Sequence, residues 1–273
     1  MSDLDWVALA DLATQLAGEA GARALELATS ARRSTSTKSS VTDLVTTADT
    51  AAEELIVAGL DRARPDDGIE GEEGSSRSGA TGVVWHIDPI DGTTNYVYDI
   101  PAWSVSIAAS IPNPAATESG PRVTVAGVVF DPANQLLFRA IKGSGATRNG
   151  DPLSCSTKDE LETALVATGF SYRAERRRNQ AQVLVEVLPQ IRDIRRFGSA
   201  ALDLCAVATG QVDAYYERGL NRWDLAAGLL VATEAGAVAG NLAGGPADTS
   251  FVLASAPGLF GSLQDLLVVS HAI

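Results

Sequence analysis

Several residue types on which particular functions depend are scarce in this sequence. The chain has only two cysteines, Cys155 and Cys205, among 273 residues. A disulfide framework is therefore excluded, and a reducing, cytoplasmic compartment is expected. The only histidines are His86 and His271. This count argues against a His-rich metal site, a phosphohistidine mechanism and a Ser-His-Asp triad.

Positive charge and long apolar runs are also in short supply. The 21 Lys and Arg residues stand against 34 Asp and Glu residues, a formal net charge of −13. A protein that binds nucleic acid through a basic surface is therefore not expected. No run approaches the roughly 18 apolar residues that a membrane span needs, so we expect no membrane partner. The first residues lack a basic segment followed by an apolar one, so we expect no secretory signal.

The pattern of apolar residues in the first half predicts two helices followed by strands. Apolar residues spaced three and four apart predict helices over 3–28 and 46–63. Polar stretches predict surface loops over 30–40, 74–81 and 112–121. Apolar, β-rich runs predict strands over 82–88, 103–111, 123–130 and 135–141.

After about residue 155, predicted strands and helices alternate. The strands are 165–168, 191–197, 212–216 and 251–255, and the helices are 175–188, 200–209, 224–235 and 258–270. Such alternation is typical of an α/β layer with a mixed sheet. We therefore expect an N-terminal α+β half, residues 1–153, and a C-terminal α/β half, residues 154–273. Both halves are expected to contribute to one active site.

The densest chemical signal follows the strand over 82–88. It reads Asp88-Pro89-Ile90-Asp91-Gly92-Thr93-Thr94-Asn95. Pro89 predicts a turn after the strand, which brings Asp88, Asp91 and the Ile90 carbonyl to one point. The amides of Gly92 and Thr93 would then open a short helical turn that binds an anion. Carboxylates beside an anion site indicate a cation between them, and oxygen ligands favour Mg²⁺ or Mn²⁺.

Further acidic residues stand in three other motifs. They are Asp49 after Thr46-Thr47-Ala48, Glu72 and Glu73 between two glycines, and Asp224 after Trp223. Each of them alone is expected to be an exposed carboxylate or a helix cap. If they converge on Asp88 and Asp91, their repulsion requires two or three divalent ions to neutralise it.

Taken together, these motifs resemble the inositol monophosphatase family of metal-dependent phosphatases. The similarity covers about residues 38–240. Its motifs are Lys38-Ser39-Ser40, Asp43 to Asp49, Gly71-Glu72-Glu73, Asp88 to Asn95, Gly127-Val128-Val129, Gly143 with Gly145-Ala146, Asn149-Gly150, Gly198 to Ala201, Gly210 to Glu217, and Trp223 to Gly228. The resemblance implies the layered α-β-α-β-α sugar-phosphatase fold, of the fructose-1,6-bisphosphatase and inositol monophosphatase type.

The resemblance also implies roles for individual residues. Glu72, Asp88, Asp91, Asp224 and the Ile90 carbonyl match the metal ligands. Asp49, Thr93 and Glu72 match the catalytic residues, with Asp49 and Thr93 orienting the attacking water. Gly92, Thr93, Ala200, Glu217 and Lys38 match positions at the substrate. Implied with them are two or three Mg²⁺ ions, for which Mn²⁺ can substitute, inhibition by Li⁺, and a homodimer.

The implied reaction is Mg²⁺-dependent hydrolysis of inositol-1-phosphate by direct attack of a metal-activated water. A cysteine phosphatase is excluded because Leu161 and Gln211, not arginine, stand six residues after the two cysteines. A haloacid-dehalogenase-type nucleophile needs Asp-x-Asp, whereas the motif after the strand over 82–88 is Asp-x-x-Asp. Fructose-1,6-bisphosphate or another small sugar or polyol phosphate stays open as the alternative substrate.

A function of another class also stays open. Some bacterial members of the family are accessory factors for transcription and RNA processing. The candidate surface for such a role is a set of arginines: Arg173, Arg176, Arg177, Arg178, Arg195 and Arg196. The alternative interpretation is a solvated helix start, although cations at a helix N-terminus oppose the helix dipole.

Overall fold

The computed structural model describes residues 5–31, 36–38, 44–113 and 122–271. The α-helices in these ranges are α1 Trp6–Ala31, α2 Thr47–Ala63, α3 Thr93–Val97, α4 Ala174–Val187, α5 Ala200–Ala208, α6 Arg222–Glu234 and α7 Phe260–Val269. The strands are β1 Ser36–Thr37, β2 Leu44–Val45, β3 Gly68–Gly71, β4 Ser76–Arg77, β5 Val84–Asp91, β6 Ser104–Pro112, β7 Arg122–Asp131, β8 Leu136–Ile141, β9 Ala146–Arg148, β10 Asp151–Pro152, β11 Leu165–Thr168, β12 Asp193–Arg195, β13 Ala214–Glu217, β14 Val238–Gly240 and β15 Val252–Ser255.

The first layer of strands is an eight-stranded sheet with the order β10-β9-β8-β7-β6-β5-β3-β4. Its strands pair antiparallel except for β3 and β5, which run parallel. Helices α1 and α2 cover one face, where Leu16 and Ile56 share a buried cluster with Trp85 and Ile107. Helices α5 and α6 cover the other face, where Cys205 and Val231 belong to the same buried cluster as Val129 and Phe138.

The second layer of strands is a five-stranded mixed sheet with the order β12-β11-β13-β15-β14. Strand β11 runs parallel to β12 and β13, and β15 runs antiparallel to β13. On one face of this sheet, Leu204 of α5 and Leu225 of α6 share a buried cluster with Val252. On the other face, Val187 of α4 and Leu263 of α7 form a further cluster.

Helices α5 and α6 therefore lie between the two sheets. The order of layers is α1/α2, eight-stranded sheet, α5/α6, five-stranded sheet, α4/α7. This arrangement confirms the expected layered α-β-α-β-α fold. None of the helices in the described ranges is both long and apolar enough to cross a membrane.

The structure differs from the predicted elements at several boundaries. Helix α1 extends to Ala31, and Ser36–Thr37 of the predicted loop pairs with β2. Strands β3 and β14 were not predicted, and the strand expected over 191–197 is limited to Asp193–Arg195. The loop expected over 74–81 contains β4, which pairs with β3. The motif residues Ser39, Ser40 and Asp43 and most of the loop expected over 112–121 lie outside the described residues.

Candidate active site

A β-bulge in β5 brings two carboxylates to the same side of the sheet. Asp88 lies opposite Ser106 of β6 and Asp91 lies opposite Ser104, so three steps along β5 match two along β6. In a regular strand, residues three apart face opposite sides of the sheet. The extra residue reverses this alternation, so Asp88 and Asp91 both line one cavity. The turn predicted at Pro89 is thus a bulge within the strand, stabilised by the Ile90 amide donating to Asp88 Oδ1 at 3.0 Å.

The N-terminus of α5 holds the Asp91 carboxylate. The Ser199 hydroxyl, which caps α5, and the Ala201 amide both donate to Asp91 Oδ2, at 2.6 and 2.7 Å. Burial raises the pKa of Asp91 to about 6, even though the hydrogen bonds from Ser199, Ala201 and Ala200 lower it. The amide of Ala200, predicted to contact substrate, therefore also contributes to holding Asp91 in place.

Thr93 and Asp49 form a hydrogen-bonded pair next to the bulge. The Thr93 hydroxyl lies 3.2 Å from Asp49 Oδ1 and 3.1 Å from the Ile90 carbonyl oxygen, and both are acceptors for its single proton. The other Asp49 oxygen accepts from the Thr46 amide and hydroxyl in the capping box of α2. Burial raises the pKa of Asp49 to about 6, against the lowering effect of Thr46. The start of α2 thus fixes Asp49 directly behind Thr93.

Glu72 and Glu73 lie in the turn between β3 and β4, where one lysine contacts both carboxylates. The Lys38 ammonium donates to Glu72 Oε1 at 2.9 Å and also to Glu73. Burial would lower the pKa of Lys38, but the two carboxylates raise it well above its usual value. Burial raises the pKa of Glu73 to about 7, although Lys38 opposes this shift. Lys38 therefore stays charged and keeps Glu72 at the cavity.

Helix α2 also positions the turn between β3 and β4. The buried Glu53 carboxylate accepts from the Glu73 amide at 2.8 Å and from the Ser75 amide at 2.9 Å. Gly71 passes so close that a Cβ there would lie 2.6 Å from Glu53 Oε2. The position of Glu72 is therefore set by Glu53, a residue that does not line the cavity itself.

Asp224 comes from the first turn of α6. Its Oδ2 accepts from the Asn221 amide at 2.6 Å, which fixes the carboxylate at the helix start. Burial raises the pKa of Asp224 and of Asp88 well above their usual range, and the charges of Glu72 and Asp91 raise both further. The like charges of four carboxylates, three from the eight-stranded sheet and its β3–β4 turn and one from α6, thus oppose one another.

The oxygen donors of these residues suit a divalent cation. The set consists of the carboxylates of Glu72, Asp88, Asp91 and Asp224 with the Ile90 carbonyl, and such ligands favour hard ions such as Mg²⁺. In the described residues, no group of three or more His, Cys, Asp and Glu side chains is already arranged to hold an ion. The repulsion among the four carboxylates supplies the physical reason for a cation to bind there.

All of these groups open onto one cavity of about 560 Å³. The predicted site residues that line it are Lys38, Glu72, Asp88, Ile90, Asp91, Gly92, Thr93, Ala200, Glu217 and Asp224. Asp49 is the one predicted site residue that does not line the cavity, because it lies behind Thr93. Gly92 has a φ of 94° and is followed by the five-residue helix α3, so the expected helical turn is present.

Glu217 ends β13 at the edge of the cavity. Tyr215 donates its hydroxyl to Glu217 Oε2 at 2.6 Å. Burial raises the pKa of Glu217 to about 7, whereas Tyr215 and the charge of Arg196 lower it. Among the described residues, no ion pair joins Glu217 to Arg218 or Arg222. Its second oxygen is therefore available to a ligand in the cavity.

Other cavity residues were not predicted as site residues. Asp203, one helical turn into α5, is almost fully buried, and its Oδ1 has no hydrogen-bond partner in the described part of the chain. Arg173, Arg176, Arg196 and Arg218 also line the cavity. No sequence motif marked Asp203; it lies at the cavity because it stands four residues after the cap Ser199, on the same face of α5.

Known proteins similar to this chain include phosphatases and related factors. The family model described as "Inositol monophosphatase family" matches residues 5–268. An inositol-1-monophosphatase of Mycobacterium bovis is 46% identical over 238 residues, which cover 83% of this chain and 78% of that protein. A Nus factor SuhB of Xylella fastidiosa is 44% identical over 196 residues, covering 71% of this chain and 67% of that protein.

Among solved structures, Mycobacterium tuberculosis SuhB superposes on this chain with a TM-score of 0.82. The two sequences are 39% identical, and the match covers 98% of each chain. The likeness therefore extends over both sheets and all the elements that supply the cavity.

Proposed function

The chain belongs to the inositol monophosphatase family, a family of phosphatases that is generally metal-dependent, and we propose that it hydrolyses inositol-1-phosphate to inositol and phosphate with Mg²⁺. The observation that carries this proposal is the convergence of four carboxylates, the Ile90 carbonyl and the Thr93–Asp49 pair on one cavity. This combination provides metal ligands and a means of orienting water at the same place.

The metal ligands in this proposal are Glu72, Asp88, Asp91, Asp224 and the Ile90 carbonyl. Bound divalent ions would neutralise the phosphate charge, lower the pKa of a water molecule and stabilise the leaving alcohol oxygen. The remaining work falls to residues that position the reactants, because phosphoryl transfer depends mainly on positioning and charge stabilisation.

Thr93 and Asp49 are suited to orient the attacking water. Because the Thr93 hydroxyl donates its proton towards Asp49, its lone pairs remain free to accept a hydrogen bond from water. Asp49, buried and with its pKa raised to about 6, is the acceptor for the proton at the end of this relay. The amides of Gly92 and Thr93, at the start of α3, would donate to the phosphate oxygens.

Substrate recognition is assigned to Glu217 and Ala200, which line the same cavity. The second oxygen of Glu217 would accept a hydrogen bond from a polyol hydroxyl. Such a charge-assisted hydrogen bond is worth about 1.5–3 kcal/mol. Lys38 contributes indirectly, since it holds the Glu72 carboxylate.

A phosphate-release screen tests the proposal. The substrates are inositol-1-phosphate, glycerol-2-phosphate, fructose-1,6-bisphosphate, histidinol phosphate and adenosine-3′,5′-bisphosphate, each assayed with Mg²⁺, with Mn²⁺ and with chelator. We expect the highest kcat/KM for inositol-1-phosphate with Mg²⁺, lower activity with Mn²⁺, and inhibition when Li⁺ is titrated in. A higher kcat/KM for another ester would contradict inositol-1-phosphate as the substrate. Turnover in excess chelator would contradict the metal requirement.

An accessory role in transcription is the candidate from another class, suggested by the relatives named Nus factor SuhB. The arginines expected to form its surface divide into two groups. Arg173, Arg176 and Arg196 line the cavity, whereas Arg177 donates to the Ser171 carbonyl, Arg195 pairs with Asp193, and Arg178 does not line the cavity. This division favours the phosphatase. Co-purification with RNA polymerase components would support the accessory role.

The assembly and compartment are part of the same proposal. We propose that residues 1–153 and 154–273 act as two halves of one catalytic unit, that the protein is a homodimer, and that it works in the cytoplasm. Light scattering after size-exclusion chromatography gives the mass in solution, and a mass near 28 kDa would contradict the dimer. Fractionation of cells gives the compartment.

A further inference from the structure

A chain of four polar side chains crosses four neighbouring strands of the eight-stranded sheet. Arg122 Nε on β7 donates to Ser110 Oγ on β6 at 2.9 Å, and this oxygen lies 2.8 Å from His86 Nε2 on β5. His86 Nδ1 lies 2.9 Å from Glu70 Oε2 on β3. Ala108, the cross-strand partner of His86, belongs to the buried cluster with α5 and α6. The chain therefore lies on the face of the sheet that these helices cover.

The donors and acceptors of this chain fit one direction of proton donation. A guanidinium only donates, so Ser110 Oγ accepts from Arg122. A carboxylate only accepts, so His86 Nδ1, which faces Glu70, carries the ring proton. In the neutral imidazole, Nε2 then accepts from the Ser110 hydroxyl at 2.8 Å, which is closer than the Val84 carbonyl at 3.3 Å. Each side chain thus donates to the next, from the cation at one end to the carboxylate at the other.

The buried histidine holds Glu70, although the Glu70 side chain is half exposed. His86 is 1% exposed, and its Nδ1 has no other partner in the described ranges. A buried N–H group left without an acceptor is destabilising, so this contact favours the Glu70 rotamer that faces the sheet. The Glu70 side chain is 44% exposed and would otherwise extend into water. The position of Glu70 therefore depends on His86.

Strand β3 has few other side chains that fix its position. It consists of Gly68–Gly71 and lies between β5 and the two-residue strand β4. Ile69 packs in the buried cluster with α1 and α2, on the opposite face. Because alternate residues of a strand share a face, only Gly68 and Glu70 lie on the face of α5 and α6. The contact between Glu70 and His86 is therefore the side-chain tie of β3 on that face.

The same two strands carry two proposed metal ligands one step further along. Glu70 pairs with His86 in parallel register, and the Glu72 amide donates to the Ile87 carbonyl at 3.1 Å. Glu72 and Asp88 each follow a member of this pair by two residues, about 7 Å along the strand, and on the same face. Any movement of β3 relative to β5 would therefore change the separation of these two carboxylates.

We propose that His86 is a positioning residue for the metal site, because through Glu70 it fixes Glu72 relative to Asp88. This inference rests on the proposed function, in which both carboxylates bind Mg²⁺. His86 itself does not line the cavity. Glu53 holds the turn between β3 and β4 from the side of α2. Glu72 is thus supported from both faces of the sheet, and the loss of either support should weaken metal binding.

Calorimetric titration with Mg²⁺, without substrate, tests the role of His86 in three variants. His86→Leu removes both ring nitrogens. In His86→Asn the side-chain amide nitrogen can take the place of Nδ1, and in His86→Gln it can take the place of Nε2. We expect the Kd for Mg²⁺ to rise about tenfold in His86→Leu and His86→Gln and to stay near the wild-type value in His86→Asn. Equal Kd values in wild type and all three variants, or recovery in His86→Gln but not in His86→Asn, would overturn the inference.

A double-mutant cycle tests whether the effect passes through Glu70. Glu70→Ala removes the acceptor at a half-exposed position, so this variant is expected to fold even if His86→Leu does not. Glu70→Ala alone should raise the Kd for Mg²⁺ about tenfold. The double variant should bind Mg²⁺ no more weakly than either single variant, because both changes remove the same contact. Additive effects, or an unchanged Kd in Glu70→Ala, would overturn the inference.

Two control variants exclude general causes of weaker binding. Glu70→Gln keeps an acceptor but removes the charge, so it should bind Mg²⁺ more tightly than Glu70→Ala, and equal Kd values would overturn the inference. Asp67→Asn controls for a loss of stability. Asp67 accepts from the indole of Trp85, which packs on the opposite face of the sheet, and does not line the cavity. Asp67→Asn should leave the Kd unchanged, and a rise equal to that of His86→Leu would overturn the inference.

Titration without substrate also separates this inference from the proposed function. If Mg²⁺ binds but no ester is hydrolysed, the phosphatase proposal fails, and the series of Kd values still decides the role of His86. If esters are hydrolysed with Mg²⁺ but all the variants bind Mg²⁺ as wild type does, only the inference fails. If wild type does not bind Mg²⁺, both fail.

Discussion

The Thr93 hydroxyl has one proton and two acceptors, the Asp49 carboxylate and the Ile90 carbonyl, and this sharing defines what the residue can do. The hydrogen bond to Asp49 directs the proton to a carboxylate that does not line the cavity, which leaves the lone pairs of Oγ1 to accept from a ligand. Thr93 is therefore arranged to accept a hydrogen bond from a water molecule and to donate its own hydroxyl proton towards Asp49. This hydrogen bond strengthens as the water becomes a nucleophile, so it stabilises the transition state more than the bound substrate.

Replacement of Thr93 by alanine should lower kcat far more than it changes KM. A positioned proton acceptor contributes about 10²–10⁴-fold to rate, so we expect a fall in kcat of about 100-fold or more. Steady-state kinetics on inositol-1-phosphate measure both constants. Thr94→Ala, in the same short helix, is the matched control and should retain most activity. A change limited to KM would show that Thr93 only binds substrate.

At the level of single residues, the sequence predicts which side chains meet at the site only where those residues are close together along the chain. Asp88, Asp91 and Thr93 lie within six residues, so a motif predicts their proximity. Asp203 gave no such signal, and Arg196 was predicted on a partner surface and not at the cavity, because the place of both residues depends on how α5 and β12 pack against the other sheet. Tertiary packing, not local pattern, determines such contacts.

Among the secondary-structure elements, the turn between β3 and β4 depends on α2 for its position. Glu53 accepts from two amides of this turn, those of Glu73 and Ser75, which follow Glu72 by one and three residues. Removing the carboxylate leaves the Glu73 and Ser75 amides without this acceptor. The turn then loses the contact that fixes Glu72 relative to Asp88.

Glu53→Ala should therefore weaken metal binding although Glu53 is not a proposed ligand. Residues that orient metal ligands typically change metal affinity by about 10- to 100-fold when they are mutated. The measurement is the Mg²⁺ concentration that gives half-maximal phosphate release. Glu54→Ala is the control, since Glu54 is the exposed neighbour on the same helix. Equal Mg²⁺ requirements in the two variants would contradict this role of Glu53.

Asp67 joins α2 to β5 in a similar way, but at a distance from the site. Its carboxylate accepts from Arg64 Nε at 2.8 Å, from the Thr81 hydroxyl at 2.5 Å and from Trp85 Nε1 at 2.9 Å. Burial would raise the pKa of Asp67, but these donors outweigh it and hold the pKa below its usual value. The ionised carboxylate is thus a structural tie between the helix and the sheet.

Asp67→Asn should lower the free energy of unfolding at neutral pH by about 2 kcal/mol. The pKa of Asp67 is lower in the folded protein than the unfolded value of about 3.9. The stabilisation is therefore complete above the unfolded pKa and is lost as the pH falls through the folded pKa. Urea unfolding between pH 7 and pH 3 measures the difference in the free energy of unfolding between wild type and variant, and this difference should become smaller at acid pH. A difference that stays constant with pH, or an equal loss of stability in Asp66→Asn, would contradict the structural role of Asp67.

The elements themselves were predictable to different degrees. Helices α2 and α5 match their predicted ranges closely because apolar spacing and caps mark them. Strand β3 was missed because its four residues, Gly68–Gly71, include two glycines and no apolar run. The sequence predicts a turn at Pro89 where the structure has a bulge, because proline predicts a break in local pairing but not whether the strand continues beyond it.

For the whole molecule, the important feature is that the proposed metal ligands and their supports come from two layers, the eight-stranded sheet and the helices beside it. Asp88 and Asp91 lie on the eight-stranded sheet, whereas Asp224 lies on α6 and Ser199 and Ala201 belong to the start of α5, between the sheets. The net charge of −13 adds general repulsion to the local repulsion of these carboxylates. A cation shared by Asp91 and Asp224 would therefore both complete the site and join the layers.

Divalent cations should stabilise the folded protein as well as activate it. A ligand that binds only the folded state adds about 2.7 kcal/mol at 100 times its Kd. For a chain of this size, that corresponds to a rise in Tm of about 5 °C or more. Calorimetry with Mg²⁺, and with NaCl at equal ionic strength as the control, measures the rise. Asp91→Asn should keep its fold by circular dichroism, lose activity and lose most of the Mg²⁺-dependent rise. An equal rise in wild type and variant would locate the stabilising ion elsewhere, and wild-type turnover in excess chelator would show that the carboxylates work without a cation.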